Sequence, residues 1–474
     1  MIKHLSYLLT LSLVILHFKT NAQTQIEIIN ADEISYNKKV SEDRQLLRGN
    51  VRTKHENRFL NCDSAYYYSK ENRIEAFNNI YIWQGDTLSL KGDYLIYHGN
   101  HQLAEIENNV RFRHNEMKLE TQNLNFNFNT NEGYFDTKGI ITNKQKSLSS
   151  SKGVYYSETE KFDFYGDVLV EDEKEKLRAD TLFYWLETEY ATFLSNGIIE
   201  NDDFEIKAQK GWIDQLEGNA FLSSHVEITQ MKDSYKMYAD TCYLSDQMKR
   251  SISYGNTLLY LPFNSDSLYL TADTLRSNQN TNLIKAHHTV SFKTESLTGH
   301  CDSLSYHTEN SQIYLNTEPV LWLEEFQLTA DTITLLLVEN KLEKAYLNNT
   351  AFIASKLDSV SVNQISGINM QANFKNNALN TINVWGNGES IYYIEEEEET
   401  AENIALNKII CSNMDIIIED NNLKNIKFLE KPTATLYPIS DVSLDLRFLK
   451  HYKSLNKELI LKELESKTQV HKEF

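Results

Sequence analysis

The chain has 474 residues and a formal net charge of −20. That balance disfavours nucleic acid, whose binding rests on Lys and Arg contacts to phosphate, but leaves room for an amphiphile with anionic head groups whose tails supply the affinity. Only 4 Pro and 16 Gly leave little scope for flexible linkers, while 27 Tyr and 21 Phe, with many Val, Ile and Thr, suit pleated, half-buried strands.

Residues 1–22 read as a signal peptide. Lys3 and His4 precede an apolar run from Leu5 to Phe18, and Thr20-Asn21-Ala22 offers small residues at the cleavage positions. The run is shorter than the roughly 20 residues that a membrane-spanning helix needs. No Cys follows it to carry a lipid anchor. The mature chain is expected to be exported and soluble.

Residues 23–340 read as regular repeats. The stretch Arg178-Ala179-Asp180-Thr181-Leu182-Phe183-Tyr184 recurs in weakened form around Asp32, Asp63, Asp93, Asp240, Asp273, Asp302 and Asp331. Degraded copies fill the longer gaps: Thr121-Gln122-Asn123-Leu124, Ser151-Lys152-Gly153-Val154 and Ala208-Gln209-Lys210-Gly211. A second ladder keeps step with the first. Val51, Ile80, Val110, Ile140, Val168, Ile198, Val226, Val290 and Val320 each follow a small, polar or turn-favouring residue, such as Asn50, Asn109 or Gly197. Two ladders sharing one period, about 30 residues, mark a repeat architecture in which each unit packs mainly on its neighbours.

Within a unit, apolar and polar residues alternate over short runs between turn clusters such as Glu107-Asn108-Asn109. After each motif Asp, the second and fourth residues are apolar, as in Leu182/Tyr184, Leu95/Tyr97 and Leu304/Tyr306, and share one face of a strand. The small residue before the Asp is out of phase with that face. This predicts a bend or bulge at Ala-Asp, with the carboxylate accepting backbone N–H groups. An outward Asp kept for solubility fits the pattern as well. Cys62, Cys301 and Cys411 stand where other copies have Ala31, Ala179 and Ala330, and Cys242 takes the Leu-type place. They read as small apolar fillers and not as a disulfide framework.

Residues 341–440 continue the pattern more loosely, with Cys411-Ser412-Asn413-Met414-Asp415-Ile416 as a further copy. Lys356–Gly367 and the run Glu395–Glu399 are the expected insertions, the second as a solvated loop. In the last stretch, 441–474, the residues Phe448, Leu449, Tyr452, Leu455, Leu459 and Leu464 recur at helical spacing. They predict an amphipathic helix from about 442 to 467, capped by Ser440 or Asp441. Its expected role is to close the open end of the stack, with docking to a partner or membrane surface as the alternative.

Enzyme signatures are missing from the sequence: no Gly-rich phosphate loop, Gly-x-Ser-x-Gly, His-Glu-x-x-His or Cys-x-x-Cys. His98 with His101, and His287 with His288, read as surface histidines and not as metal ligands. The Asp recurs at one repeat position, which argues for structure, since a catalytic pair is needed once. No catalysis, metal or cofactor is expected. Strands that send Leu, Tyr and Phe one way in every unit build a continuous apolar interior. Whether it is a closed core or a groove between two walls stays open on these residues.

The recurring x-Ala-Asp-x-Leu-x-Tyr, followed by a turn and an Asn-Val strand as in Leu47-Arg48-Gly49-Asn50-Val51 and Ile106-Glu107-Asn108-Asn109-Val110, resembles the OstA-like/LptA-like family of lipopolysaccharide-transport proteins. The resemblance covers roughly residues 25–435 and is in kind with the long OstA-like proteins of the Bacteroidota type. It implies an all-β fold: an elongated, solenoid-like, open-edged jellyroll bent like a taco, here followed by the C-terminal amphipathic α-helix. It implies a periplasmic chain, soluble or associated with the outer membrane, that holds lipid A acyl chains on its inner face and passes them toward the outer membrane. The implied partners are lipopolysaccharide and the jellyrolls of the inner-membrane extractor and outer-membrane translocon, joined by edge-strand pairing, or other copies of itself. Applied to this sequence, one wall of the groove would carry Ile34, Tyr36, Leu95, Tyr97, Leu124, Phe126, Val154, Tyr156, Leu182, Tyr184, Leu304 and Tyr306. The other would carry Val110, Phe112, Val168, Val170, Val290 and Phe292. Two other readings compete: a structural or adhesive envelope repeat protein with a closed core, and a β-helix acting on polysaccharide.

Overall fold

The computed structural model describes residues 24–39, 43–232, 235–263, 266–339, 341–358, 360–375, 378–395, 403–419 and 422–470. The predicted signal peptide and the run Glu396–Glu399 lie outside the described residues. The chain divides into two compact units, residues 1–144 with 154–158, and residues 145–153 with 159–474.

In the first unit, β1 (Glu27–Asn30) and β2 (Glu33–Tyr36) both pair antiparallel with β3 (Arg44–His55), β1 on its second half and β2 on its first. Then β4 (Arg58–Tyr68), β5 (Arg73–Gln84), β6 (Leu88–His98), β7 (Leu103–His114) and β8 (Met117–Asn127) follow as an antiparallel meander. The predicted alternation holds. Along β3, Leu47, Val51, Thr53 and His55 are buried, one face of the pleat.

These long strands break at mid-length. The register slips between Arg48 and Val51, Phe77 and Ile80, and Glu107 and Val110. The skipped pairs Gly49-Asn50, Asn78-Asn79 and Asn108-Asn109 have φ between 46° and 71°. Two left-handed residues in succession turn the strand, and Gly and Asn are the residues that tolerate this conformation. At Gly49 (φ 71°) a Cβ would also come within 2.3 Å of Asp32 Oδ2. The motif carboxylate clamps each corner: Asn50, Asn79 and Asn109 donate their side-chain amides to Asp32, Asp63 and Asp93 at 2.8, 2.8 and 2.6 Å. The bend therefore sits on the strand facing the motif and not at Ala-Asp. The carboxylate accepts a side-chain amide, while the Asp32 N–H is itself a donor, to Gly49 O at 2.9 Å.

The corners fold the sheet onto itself. Tyr97 stands in line, strand by strand, with Ile74, Tyr67 and Gln45. Gln45 and His55 are the two ends of one strand, roughly 30 Å apart if it ran straight. Yet His55 Nδ1 lies 2.7 Å from Tyr97 Oη. The two halves of each strand thus form two walls whose apolar faces meet, and the hairpin turns form two facing lips.

The second unit repeats this construction. Gly166-Asp167, Ser224-His225, Gly255-Asn256, His288-Thr289, Thr317-Glu318, Asn349-Thr350 and Gly386-Asn387 are among its left-handed corner pairs. Asp180 accepts from Asn196 at 2.5 Å, Asp240 from Asn256 at 3.0 Å and Asp331 from Thr350 at 2.5 Å. The ladder continues regularly through the region read as looser. Lys356–Gly367 is no insertion but the end of one strand (Lys341–Lys356), a turn, and the start of the next (Val362–Lys375).

The last strands, Asn422–Leu429 and Thr433–Pro438, both pair with Asn403–Glu419. The chain then runs back over the outer face of a wall. There Val442 and Leu449 join Phe352, Ile391, Tyr393 and Leu406 in one buried cluster. Gln364 holds the passage at both ends of its amide, donating to Arg447 O (2.8 Å) and accepting from Leu449 N–H (2.9 Å). The helix α1 (Lys457–Val470) packs on the strands between Arg250 and His307, with Leu464 fully buried. The expected C-terminal helix is present, but it starts at Lys457, where Asn456 Oδ1 accepts the Glu458 N–H at 3.0 Å. Residues from 442 to 456 are instead irregular chain that follows the wall, with a short 3-10 turn (Leu444–Leu446) and a further turn at 450–451. The segment straps the outer face and does not close the end of the ladder.

Candidate functional site

The interior between the walls is the site to which the motif residues lead. In the first unit Leu95, Tyr97, Val110, Phe112, Leu124 and Phe126 are buried and face inward; in the second, Val168, Val170, Leu182, Tyr184, Val290, Phe292 and Leu304 do so. Tyr306 is half-buried. Ile34 and Tyr36 keep the right phase after Asp32 but are 53% and 53% exposed, because β2 is an edge strand with nothing described beyond it. Val154 and Tyr156 are a correction: both are half-buried, and Gly153 and Tyr155 are the buried residues. Ser151 stands in the place of the motif Asp, its N–H donating to Gly166 O at 2.8 Å and its hydroxyl bonded to Asp167 at 3.2 Å. Counting from Ser151, the second and fourth residues are Gly153 and Tyr155, so the alignment expected for this degraded copy is one residue late.

Among the described residues, side chains bridge the two lips. In the first unit His55 Nε2 meets Thr24 O at 2.9 Å and so must donate, which leaves Nδ1 to accept from the Tyr97 hydroxyl. His114 Nδ1 and Tyr155 Oη repeat the latch at 2.8 Å. In the second unit Lys146 bridges the lips, 3.2 Å from Asp172 and 2.9 Å from Glu189. Gln215 accepts from Lys146 at 3.0 Å and from Tyr184 at 3.1 Å, and donates to Glu175 at 2.9 Å. Burial raises the Glu175 carboxyl pKa, against the lowering effects of Gln215 and Lys146. Burial likewise lifts the Tyr184 phenol, and it pushes Tyr97 up to about 12.

Further along the second unit, described residues of both lips line a cavity of about 750 Å³. Gln230, Lys232 and Tyr235 border it on one lip and Lys249, Asn278 and Asn282 on the other, with Leu261, Leu283, Ile284 and Tyr306 also lining it. Among the described residues there is no group of three side chains suited to a metal. No described helix is long and apolar enough to cross a membrane.

Residues 23–180 match the family model described as OstA-like protein. Residues 205–341 match the model described as LptA/(LptD N-terminal domain) LPS transport protein. Together the two regions cover more than half of the 474 residues. The chain belongs to the OstA-like family of lipopolysaccharide-transport proteins. No curated protein matches it. Among solved structures it is similar to LptH, the LptA homologous periplasmic component of the lipopolysaccharide transport device from Pseudomonas aeruginosa. The identity is 17% over 24% of this chain and 82% of that one, with a TM-score of 0.23, too low to bear on the fold.

In this OstA-like chain the latch residues are what the motif reading missed. Their signal was present: His55 and His114 each stand four residues after a second-ladder Val, Val51 and Val110. Burial lowers the His55 pKa from the ordinary 6.5, Arg58 adds to this, and the Thr24 carbonyl opposes it. A histidine whose folded pKa is depressed contributes stability above its unfolded pKa and loses it as pH falls through the folded value. The wild-type melting temperature is therefore expected to drop more between pH 7 and pH 5 than that of His55→Gln. Equal drops in the two proteins would remove His55 from the acid response.

Proposed function

We propose that the chain binds the acyl chains of lipopolysaccharide between its walls and hands the lipid toward the outer membrane, as one element of a periplasmic bridge. Family membership supports the transport role. The observation that carries the binding mode is the seal of the interior: two apolar walls meet under lips that, among the described residues, are bridged by side-chain hydrogen bonds and ion pairs. Such contacts separate at modest cost, since a typical intramolecular hydrogen bond is worth only about 0.5–1.5 kcal/mol net. The edge strands β1, β2 and Thr433–Pro438 carry exposed Ile34, Tyr36 and Leu436. Open edges of this kind invite pairing, and neighbouring jellyrolls of the bridge are the proposed occupants. Export by residues 1–22 belongs to the same proposal.

One observation favours the structural alternative. Leu95, Leu182 and Val290 are each 0% exposed, as in a closed core. Binding of fluorescent lipopolysaccharide to the purified full chain separates the two. Saturable binding, at least tenfold weaker for lipopolysaccharide stripped of its acyl chains, is the expected result. Equal affinity for both forms, or no binding, would contradict the acyl-binding mode.

A further inference from the structure

We propose that the outer face of one wall of the first unit docks the chain on an anionic lipid surface. The inference is independent of the acyl-binding mode proposed above. In the half of each strand that holds Val51, Ile80 or Val110, the side chains between the buried inward ones stand on the outer face. Two rows cross the strands there. One runs Arg52, Asn61, Tyr81, Lys91, Arg111 and Glu120; the other runs Lys54, Phe59, Trp83, Ser89, Arg113 and Lys118. They place six cations across five strand spacings, roughly 24 Å, in a chain whose formal net charge is −20. Lys54 is half-buried and the other five are exposed. Glu120, and Glu27 on the adjoining edge strand, are the carboxylates on these rows. Carboxylates resume at the turns (Glu56, Asp86, Glu116) and at the corners (Asp63, Asp93), so the positive face is a strip.

The strip works against the sheet that carries it. Lys91 lies directly opposite Arg111, and Arg113 directly opposite Lys118, and like charges in facing positions destabilise a strand pair. Arg111 has Glu120 at 3.6 Å, and Arg113 donates to Asp86 O at 2.7 Å. The second unit sets carboxylates among its cations on the corresponding half of its strands. There Arg178 is 2.6 Å from Glu200, Lys207 is 2.5 Å from Glu205 and Lys236 is 3.5 Å from Glu227. Anions from outside would do for the first unit what these carboxylates do for the second.

The aromatic residues between the cations decide the class of anion. Phe59 and Tyr81 both stack against Trp83, with centroids 5.2 and 5.1 Å away and planes within 19°. Arg52 lies over Phe59 at 5.3 Å and Lys91 over Tyr81 at 5.0 Å. Ring faces engaged in this way are poor platforms for sugars or bases, which need the faces. A plane of phosphate head groups needs only the cations, and it supplies anions at whatever spacing the strip presents. Trp and Tyr are also the residues enriched where protein meets a membrane–water interface.

The test is co-sedimentation of the purified full chain with vesicles of phosphatidylcholine, alone or mixed with phosphatidylglycerol, at low and high salt. Binding to the mixed vesicles that salt abolishes, with none to the neutral ones, is the expected result. Combining Lys91→Glu, Arg111→Glu and Arg113→Glu should weaken it about tenfold or more, with unchanged far-UV circular dichroism. Combining Lys210→Glu, Lys249→Glu and Lys285→Glu, at exposed positions of the second unit, should leave it as in wild type. Lys91→Gln with Arg113→Gln relieves the facing repulsion, so that variant should melt no lower than wild type and still bind less. Binding that ignores lipid charge, no binding to either vesicle, or a folded charge-reversed strip that binds as wild type would overturn the proposal. So would strip-dependent self-association in sedimentation velocity without vesicle binding, which would make a second copy of the chain the occupant.

Discussion

Phe292→Ala is expected to cost about 3–5 kcal/mol of folding free energy, as large aromatic deletions in packed cores do. Phe292 is 1% exposed on the inward face of the second unit. Its ring fills the space over Gly299 on the adjacent strand, where a Cβ would stand 2.1 Å from the ring tip. Gly299→Val is therefore expected to destabilise as well, by roughly 1–3 kcal/mol of overpacking. In the double variant the valine enters the space that the ring has left, so the combined loss should be smaller than the sum of the two. Urea unfolding of the three variants gives the comparison. Strictly additive losses would mean that ring and glycine do not share that space.

Removal of residues 439–474 is the second large expected effect. Val442, Leu449 and Leu464 are 8%, 5% and 0% exposed, and burying each such side chain is worth about 1.5–3 kcal/mol. Truncation also uncovers Phe352, Ile391, Tyr393 and Leu406 on the outer face of the wall, a contiguous apolar patch of the kind that soluble proteins seldom leave bare. The shortened chain should melt well below the full one, bind a hydrophobic dye and aggregate at lower concentration. A truncated chain with wild-type melting and no added dye binding would show that the strap contributes nothing to the wall beneath it.

The repeat was legible because one local rule is written many times. A strand that must turn on two left-handed residues needs Gly or Asn there, and a carboxylate opposite to hold them, so Asn109 and Asp93 leave the same mark as Asn50 and Asp32. Period-2 alternation puts Leu182 and Tyr184 on one face and Val290 and Phe292 on another, and all four are buried. The reading failed where a copy lost its Asp. With Ser151 in that place no carboxylate marks the phase, and the expected inward pair Val154 and Tyr156 falls one residue after the buried Gly153 and Tyr155. It also failed where long-range packing replaces local periodicity. The spacing from Phe448 to Leu455 is helical in the sequence, yet these residues form irregular chain with a turn at 450–451, because a wall strands away in sequence offers Leu449 its contacts and Gln364 caps the backbone. The latches were hidden for a different reason. His55 and Tyr97 are ordinary residues at the ends of strands, and only the folding-over of the sheet brings them together.

The account stands or falls on whether lipid occupies the interior. The measurement that decides this is photocrosslinking in living cells, with benzoyl-phenylalanine in place of Tyr184, which is 1% exposed on an inward face. Asp180, exposed at the corner of the same strand, serves as the control, and Phe126 gives a second inward position in the first unit. A lipopolysaccharide adduct at 184 and 126, and none at 180, is the expected result. A chain that accumulates normally and gives no adduct at either inward position would contradict the account and leave the interior as a closed core.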